Sequence, residues 1–212
     1  MIAYTAVYGD YDSIKSHPDH PAVEAWLCFT DDPELVADGW DVVHRPLRFE
    51  HPRLAAKWWK CHPPAADVSL WLDGSVLLNG PEYIDMIADG LDHRDLVMFR
   101  HPVRDCIYDE VLASEPMVKY FGCDLQAQQR RYASQGWPTH GGLWATTTFA
   151  RRHTPTVLAF GGAWFAHNEL LTYQDQVSLP PLLADYGLDP WPIPGDLWGN
   201  PWFRLVGHRS EA

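Results

Sequence analysis

The sequence lacks any apolar run near the length of about 18 residues that a membrane-spanning helix requires. Its opening segment, MIAYTAVYGD, also lacks the basic region and apolar stretch that mark a secretory signal peptide. Together these absences predict a cytoplasmic protein that has no membrane partner.

Cysteine is scarce as well. The chain has four cysteines, which are far apart and form no C-x-x-C pair: Cys28, Cys61, Cys106 and Cys123. This spacing disfavours a zinc knuckle, and it lacks the framework of a disulfide-rich secreted domain. We expect reduced, mostly buried thiols.

Basic residues are outnumbered, 16 against 28 acidic ones, which gives a formal net charge of −12. A general nucleic-acid binder needs a broad basic field, so a nucleic-acid partner is disfavoured. Most basic residues are arginines, and several are paired: Arg100 with Arg104, Arg130 with Arg131, and Arg151 with Arg152. Arginine suits bidentate capture of phosphate or carboxylate, which indicates a confined anionic ligand. Surface pairing with the excess acids is the alternative for most of them.

What the sequence does contain is an alternation of strand-like and helix-like segments. Strands are predicted from β-branched and aromatic content in IAYTAVYG, AWLCFTDD, WDVVHRP, DVSLWLDGSV, DLVMFRHP and GGLWATTTFARR. Helices are predicted in HPRLAAKWWKCHPP, PEYIDMIADGL, TPTVLAFGGAWFAHNELL and YQDQVSLPPLLADYG, with helical texture also over residues 105–136. The alternation predicts a three-layer α/β/α sandwich with a mainly parallel, mixed central sheet. We expect one domain over residues 1–212, with residues 188–212 as an irregular extension packed on it.

Ligands of such sheets bind beyond the carboxyl ends of the strands. Polar residues follow three of the predicted strands at this end: Tyr8, Gly9 and Asp10, then Thr30, Asp31 and Asp32, and finally Asp73. Each aspartate taken alone is more typical of a turn. The combined pattern predicts that Asp73 faces a cleft shared with Tyr8 and Asp31.

The order of several segments carries a resemblance: YTAVYGDYD, WLCFTDD, PRLAAKWWKCHPP, SLWLDGSVLL, FRHPVRDCIYDE and RRHTPTVLAFGGAWFAHNELLTYQDQVSLP. It resembles the glycosyltransferase-like domain of the family named for the plant TOD1 and MUCI70 proteins, from near residue 4 to about residue 187. The most specific parts are WLDGS, FRH with a following arginine, and DQVS. The resemblance implies a GT-A fold and a glycosyltransferase that uses a nucleotide sugar, with a UDP-sugar as the expected donor.

GT-A enzymes resembling this chain usually hold Mn²⁺ or Mg²⁺ on a D-x-D pair, which stabilises the leaving diphosphate. Here that motif has become Asp73-Gly74-Ser75, which leaves one strong ligand for a hard cation. The resemblance implies help from Asp175 or from a late histidine, His208, which is equally typical of a surface tail. Without a metal, arginines such as Arg100 and Arg104 would neutralise the diphosphate.

The implied fold places the first loop, with Tyr8, Gly9 and Asp10, around the base and ribose of the donor together with Asp31. Lys57 and Lys60 share one face of the predicted helix, and at least one of them is expected near phosphate. The resemblance also assigns donor binding to Asp73, Gly74 and Ser75, and sugar or phosphate binding to His101 and Arg104.

Asp175 is the predicted catalytic carboxylate. It begins a helical segment, where backbone N–H groups favour its ionised form. A helix N-cap is the alternative use of an aspartate at this position. Gln176 beside it is a candidate for orienting a sugar hydroxyl.

Tryptophans are expected on the acceptor side, because aromatic faces suit the C–H surfaces of a carbohydrate or glycan-bearing acceptor. The candidates are Trp137, Trp144 and Trp164, although most of the 11 tryptophans must be core or lid residues. Two alternatives stay open. A noncatalytic nucleotide- or carbohydrate-binding module is consistent with the incomplete D-x-D. A DNA-modifying glycosyltransferase would need an acceptor groove lined by the arginine pairs.

Overall fold

A computed structural model of the chain describes residues 1–207. It contains nine strands: β1 Ile2–Val7, β2 Ala25–Thr30, β3 Asp41–His44, β4 Val68–Leu72, β5 Val76–Leu78, β6 Leu96–Arg100, β7 Trp144–Arg152, β8 Trp191–Pro192 and β9 Phe203–Leu205. Within the same residues it has six α-helices: α1 Pro52–Cys61, α2 Glu82–His93, α3 Ile107–Ser114, α4 Leu125–Ser134, α5 Pro155–Leu170 and α6 Asp175–Asp185. A short 3-10 turn spans Val118–Tyr120.

Seven strands form the central sheet in the order β3-β2-β1-β4-β7-β6-β8. Only β7 runs against its neighbours, and it pairs antiparallel with both β4 and β6. The predicted α/β fold with a mainly parallel, mixed sheet is therefore confirmed.

Side chains that alternate along the strands fill two separate cores, one on each face of the sheet. Tyr4 and Trp71 point into a core shared with α1, α5 and α6. Ala3 and Leu70 point into the opposite core, which is completed by α2 and the C-terminal segment. Both faces of the sheet are thus covered.

Helix α1 begins and ends where its sequence dictates. Pro52 occupies the first turn, and the Nδ1 atom of His51 accepts a hydrogen bond from the N–H of Arg53. The helix ends at Cys61, just before the Pro63-Pro64 pair that cannot extend it.

The strand order changes direction at β1. The chain passes from β1 to β2 on one side, whereas β4 pairs with β1 on the other side. The loops that follow Val7 and Leu72 diverge at this point, which is where open α/β sheets form their ligand crevice.

The C-terminal segment is more regular than the predicted irregular extension. Within the described residues, β8 pairs in parallel with β6 at the sheet edge, and β9 pairs antiparallel with β5. Strands of two or three residues carry too little pattern to be recognised, and their partners lie far away in sequence. None of the helices in residues 1–207 has the length and apolar character to cross a membrane.

Candidate functional site

A cavity of about 260 Å³ opens at the carboxyl ends of β1 and β4. Its lining carries four cationic side chains and two carboxylates: Arg53, Lys57, Lys60, Lys119, Asp12 and Asp73. Aromatic residues complete the wall: Tyr8, Tyr11, Trp71, Tyr120 and Tyr173. Basic groups next to ring faces suit a ligand that joins an anionic part to a flat or apolar part.

The centre of the site is a buried ion-pair cluster. Lys60 Nζ lies 3.1 Å from Asp73 Oδ1 and 3.0 Å from Asp175 Oδ2. Lys57 Nζ contacts the same Asp175 oxygen. The side chains of Lys60 and Asp175 are 3% and 4% exposed, whereas that of Asp73 is 32% exposed, so Asp73 is the carboxylate at the cavity surface.

Burial and charge act in opposite directions on this cluster. Burial by itself would raise the pKa of Asp175, but the charges of Lys57 and Lys60 hold it well below the ordinary value. Burial also opposes the charge of Lys60, and the carboxylates of Asp175 and Asp73 outweigh it and raise the lysine's pKa. Lys60 and Asp175 therefore form an ionised pair near neutral pH, whereas burial lowers the pKa of Lys57 in spite of its attraction to Asp175.

Asp73 combines the roles of turn residue and site residue. Its backbone carbonyl accepts the N–H of Val76 at 2.9 Å, and its own N–H donates to Thr147 at 2.8 Å. Oδ1 accepts a 2.7 Å hydrogen bond from Trp71 Nε1 in addition to the Lys60 contact. The turn therefore fixes where the carboxylate stands, at the mouth of the sheet and in the same cavity as Tyr8.

The first loop is held in place by Asp31. Gly9 donates its N–H to the Asp31 carboxylate at 3.1 and 3.3 Å, and Gly9 and Asp10 both have positive φ, 65° and 54°. A Cβ atom on Gly9 would meet Pro52 at 2.9 Å, so only glycine fits here. Asp31 and Asp10 line an adjoining open cleft rather than the cavity itself.

The two residues that follow Asp73 differ in role, because Gly74 belongs to the site and Ser75 to the scaffold. Gly74 lines the cavity, and a Cβ atom there would lie 2.8 Å from the Asp12 carboxylate. The side chain of Ser75 is buried and lies outside the lining, and its backbone carbonyl accepts the N–H of Val206. Ser75 thus anchors the C-terminal segment.

His101 and Arg104 lie outside the cavity lining and pack around a buried acid, Glu110. Arg104 Nε donates to Glu110 Oε2 at 2.6 Å, and His101 Nε2 lies 3.6 Å from the same oxygen. Glu110 Oε1 accepts a 2.8 Å hydrogen bond from Gln174, the residue before Asp175. Arg100 stacks over the Trp144 ring at 3.7 Å. Neither arginine expected to neutralise a diphosphate lines the cavity.

Asp175 is the first residue of α6, as its position in the sequence predicts, but the N-cap is Gln174. Its side chain lies behind the two lysines and outside the cavity lining. Trp164 is fully buried and donates its indole N–H to the Asp175 carbonyl at 3.0 Å, which makes it a core residue. Gln176 Nε2 is 3.4 Å from the Trp144 carbonyl, also away from the lining.

Of the ligands expected for a divalent metal ion, Asp73 and Asp175 are both engaged by Lys60. Asp73 Oδ1 already accepts from the Lys60 ammonium and the Trp71 indole, so a cation on that oxygen would face a like charge. Across residues 1–207 there is no group of three or more His, Cys, Asp or Glu side chains arranged to hold a metal. His208, the other predicted ligand, lies outside the described residues.

Several residues of the cavity were not predicted. Arg53 had a usable signal, since it precedes Lys57 by four positions and therefore shares its helix face. Lys119 and Tyr120 come from the 3-10 turn after α3, and Tyr173 from the loop before α6. Only the tertiary fold brings these three to the cavity.

No protein-family model and no curated protein matches the chain. Among solved structures, it is similar to a CMP:2-keto-3-deoxy-manno-octonic acid synthetase complexed with CTP, at 13% identity and a TM-score of 0.47, over 90% of this chain and 88% of that one. It is also similar to the bifunctional IspDF from Campylobacter jejuni, at 9% identity and a TM-score of 0.47, over 92% of this chain and 49% of that one.

Proposed function

We propose that the protein is a glycosyltransferase that moves a sugar from a nucleotide-sugar donor, with a UDP-sugar as the first candidate, to a carbohydrate or glycan-bearing acceptor. The observation that carries the proposal is the cavity at the change in strand order, where Asp73 stands beside Lys57 and Lys60. The resemblance of the sequence motifs to the TOD1 and MUCI70 family supports the same activity.

The cavity lining offers groups for both ends of such a donor. Tyr11 is half-buried and is the candidate to contact a base, with the guanidinium of Arg53 4.6 Å from the centre of its ring, whereas Tyr8 is buried. Lys57 and Lys60 supply positive charge for the diphosphate. Charge that is already in position stabilises a leaving group without reorganisation during the reaction.

In this proposal Asp73 is the catalytic carboxylate, because it is the acid of the cluster that reaches the cavity surface. A diphosphate oxygen that takes the hydrogen bond of Lys60 would release Asp73 Oδ1 to accept one from a hydroxyl of the sugar or acceptor. Asp175 is instead a positioning residue, since its carboxylate holds both lysines and lies behind them.

The test is to incubate the purified protein with a panel of nucleotide sugars and to measure released nucleoside diphosphate, because slow hydrolysis needs no acceptor. We expect release from at least one donor, and a loss of about 100-fold or more in Asp73→Asn. Asp189→Asn, which changes an exposed acid outside the cavity, is the matched control.

Other outcomes would contradict the proposal. Nucleotide binding without any turnover would favour the noncatalytic binding module. Pyrophosphate release from a nucleoside triphosphate would indicate nucleotidyl transfer instead. Full activity in Asp73→Asn would remove the assigned role of that carboxylate.

A further inference from the structure

The lysine cluster differs from an ordinary phosphate patch in how it is held. Lys57 and Lys60 project from the same face of α1, and the ammonium groups of both contact a single oxygen of Asp175. Asp175 can balance the charge of one of these two lysines, and both lysines line the cavity. Asp73, which is partly exposed, balances the remaining positive charge in the absence of a ligand.

The backbone of Asp175 is held in place by buried neighbours. Its backbone carbonyl accepts from the buried Trp164 indole, and its helix starts at the Gln174 cap. Gln174 is tied in turn to the buried Glu110 and Ser114, with two hydrogen bonds of 2.8 Å. With its backbone held in this way, Asp175 presents its carboxylate at one position to both lysine side chains.

The contact between Asp73 and Lys60 indicates which cation would neutralise a bound diphosphate, a metal ion or a lysine ammonium. A divalent ion needs several oxygen ligands, and Oδ1 of Asp73 already accepts from Lys60 at 3.1 Å, so a metal ion at Asp73 would stand next to the charge of that ammonium. A diphosphate meets no such obstacle, because its oxygens accept hydrogen bonds from the same ammonium groups. Arg53 and Lys119 add positive charge to the same lining.

We propose that Lys57 and Lys60, held by Asp175, bind the diphosphate of the donor in place of a divalent metal ion. The inference rests on the proposed function, since it assigns the part of the donor that these side chains contact. It makes the protein a diphosphate binder whose affinity does not depend on Mn²⁺ or Mg²⁺.

The experiment measures UDP binding by calorimetry, with EDTA in one arm and Mn²⁺ in the other. We expect UDP to bind in EDTA, with dissociation constants in the two arms that agree within about threefold. Binding that appears only with Mn²⁺ would overturn this inference and leave the proposed function standing. If neither UDP nor any other nucleoside diphosphate binds in either arm, both proposals fail.

Variants assign the effect to the lysines. Lys57→Gln should weaken UDP binding about tenfold or more and weaken UMP binding less, because UMP lacks the second phosphate. Arg130→Gln, which removes one exposed charge on α4, should leave both affinities unchanged. Equal losses for UDP and UMP in a folded Lys57→Gln protein would overturn the assignment. The EDTA comparison on the unmodified protein decides the case if the variant does not fold.

Discussion

Gly161 of α5 crosses the end of α1 so closely that a Cβ atom at this position would overlap the carbonyl oxygen of Cys61. The obstacle is backbone, which cannot rotate away as a side chain can. The absence of a side chain at Gly161 therefore allows α5 to pack this closely against α1, the helix that carries Lys57 and Lys60.

Gly161→Ala is expected to destabilise the protein by about 1–3 kcal/mol, because overpacking forces a shift of backbone. Gly162→Ala is the matched control, since the nearest atom to its Cβ would be His62 Nε2 at 4.0 Å. In the control, alanine should be neutral or stabilising by up to about 1 kcal/mol through helix propensity. Urea unfolding of both variants measures the difference, and equal stabilities would refute the steric argument.

Asp175→Asn is expected to destabilise the protein by about 3–5 kcal/mol at neutral pH, because it leaves two buried lysines without their counterion. The folded-state pKa of Asp175 is lowered, by an attraction to the lysines that outweighs burial. Its stabilising effect is therefore complete above the unfolded-state pKa of about 3.9 and decreases as the pH falls below it.

Chemical denaturation of the unmodified protein and Asp175→Asn across pH 3–7 checks this dependence, with the range set around that unfolded-state pKa of about 3.9. The difference in unfolding free energy between the unmodified protein and Asp175→Asn should decrease only at the acidic end of this range. Asp189→Asn, at an exposed pair with Arg94, should stay within about 0.5 kcal/mol throughout. A gap that widens in acid would contradict the ionised state assigned to Asp175.

Glu110→Gln is expected to cost about 1.5–3 kcal/mol, because Arg104 would lose a charged partner at 2.6 Å inside a buried network. Glu115→Gln, at the C-cap of the same helix and at an exposed hydrogen bond to Gln126, should change stability by less than about 0.5 kcal/mol. Thermal unfolding distinguishes them. Similar melting temperatures for the two variants would show that the Glu110 network does not contribute to the stability of the protein.

The four cysteines are free, and three of them are buried. Burial raises the pKa of Cys28 and of Cys61 to about 12, which keeps these thiols protonated and unreactive. We expect a thiol reagent to modify one group rapidly in the native protein, at Cys123, and all four after unfolding. Loss of the rapid phase in Cys123→Ser is the check, and a rapid phase that persists would locate the reactive thiol elsewhere.

The sequence was most informative where a local pattern and a fold rule agreed. Asp73 follows a buried strand and precedes glycine, so its place at the carboxyl edge of the sheet could be predicted, and so could the shared helix face of Lys57 and Lys60. The buried counterion of those lysines could not be predicted. Asp175 is more than 100 residues away along the chain, and its position near a helix start was compatible with capping, metal binding or catalysis.

His101 and Arg104 show a different limit of sequence reasoning. The resemblance implied sugar or phosphate binding by these two residues, yet both surround Glu110, whose burial could not be predicted from its helical segment. Conversely, nothing near Lys119 indicates that its 3-10 turn borders the cavity. Contacts between distant segments decide both cases, and a single sequence does not record them.

The pairing of β5 with β9 has a consequence for synthesis of the chain. The turn that presents Asp73 leads directly into β5, a strand of three residues whose partner is Phe203–Leu205. A ribosome completes the first strand long before the second one emerges. Strand β5 therefore stays without its partner until Phe203–Leu205 has been made, and only then does the turn that presents Asp73 gain this support.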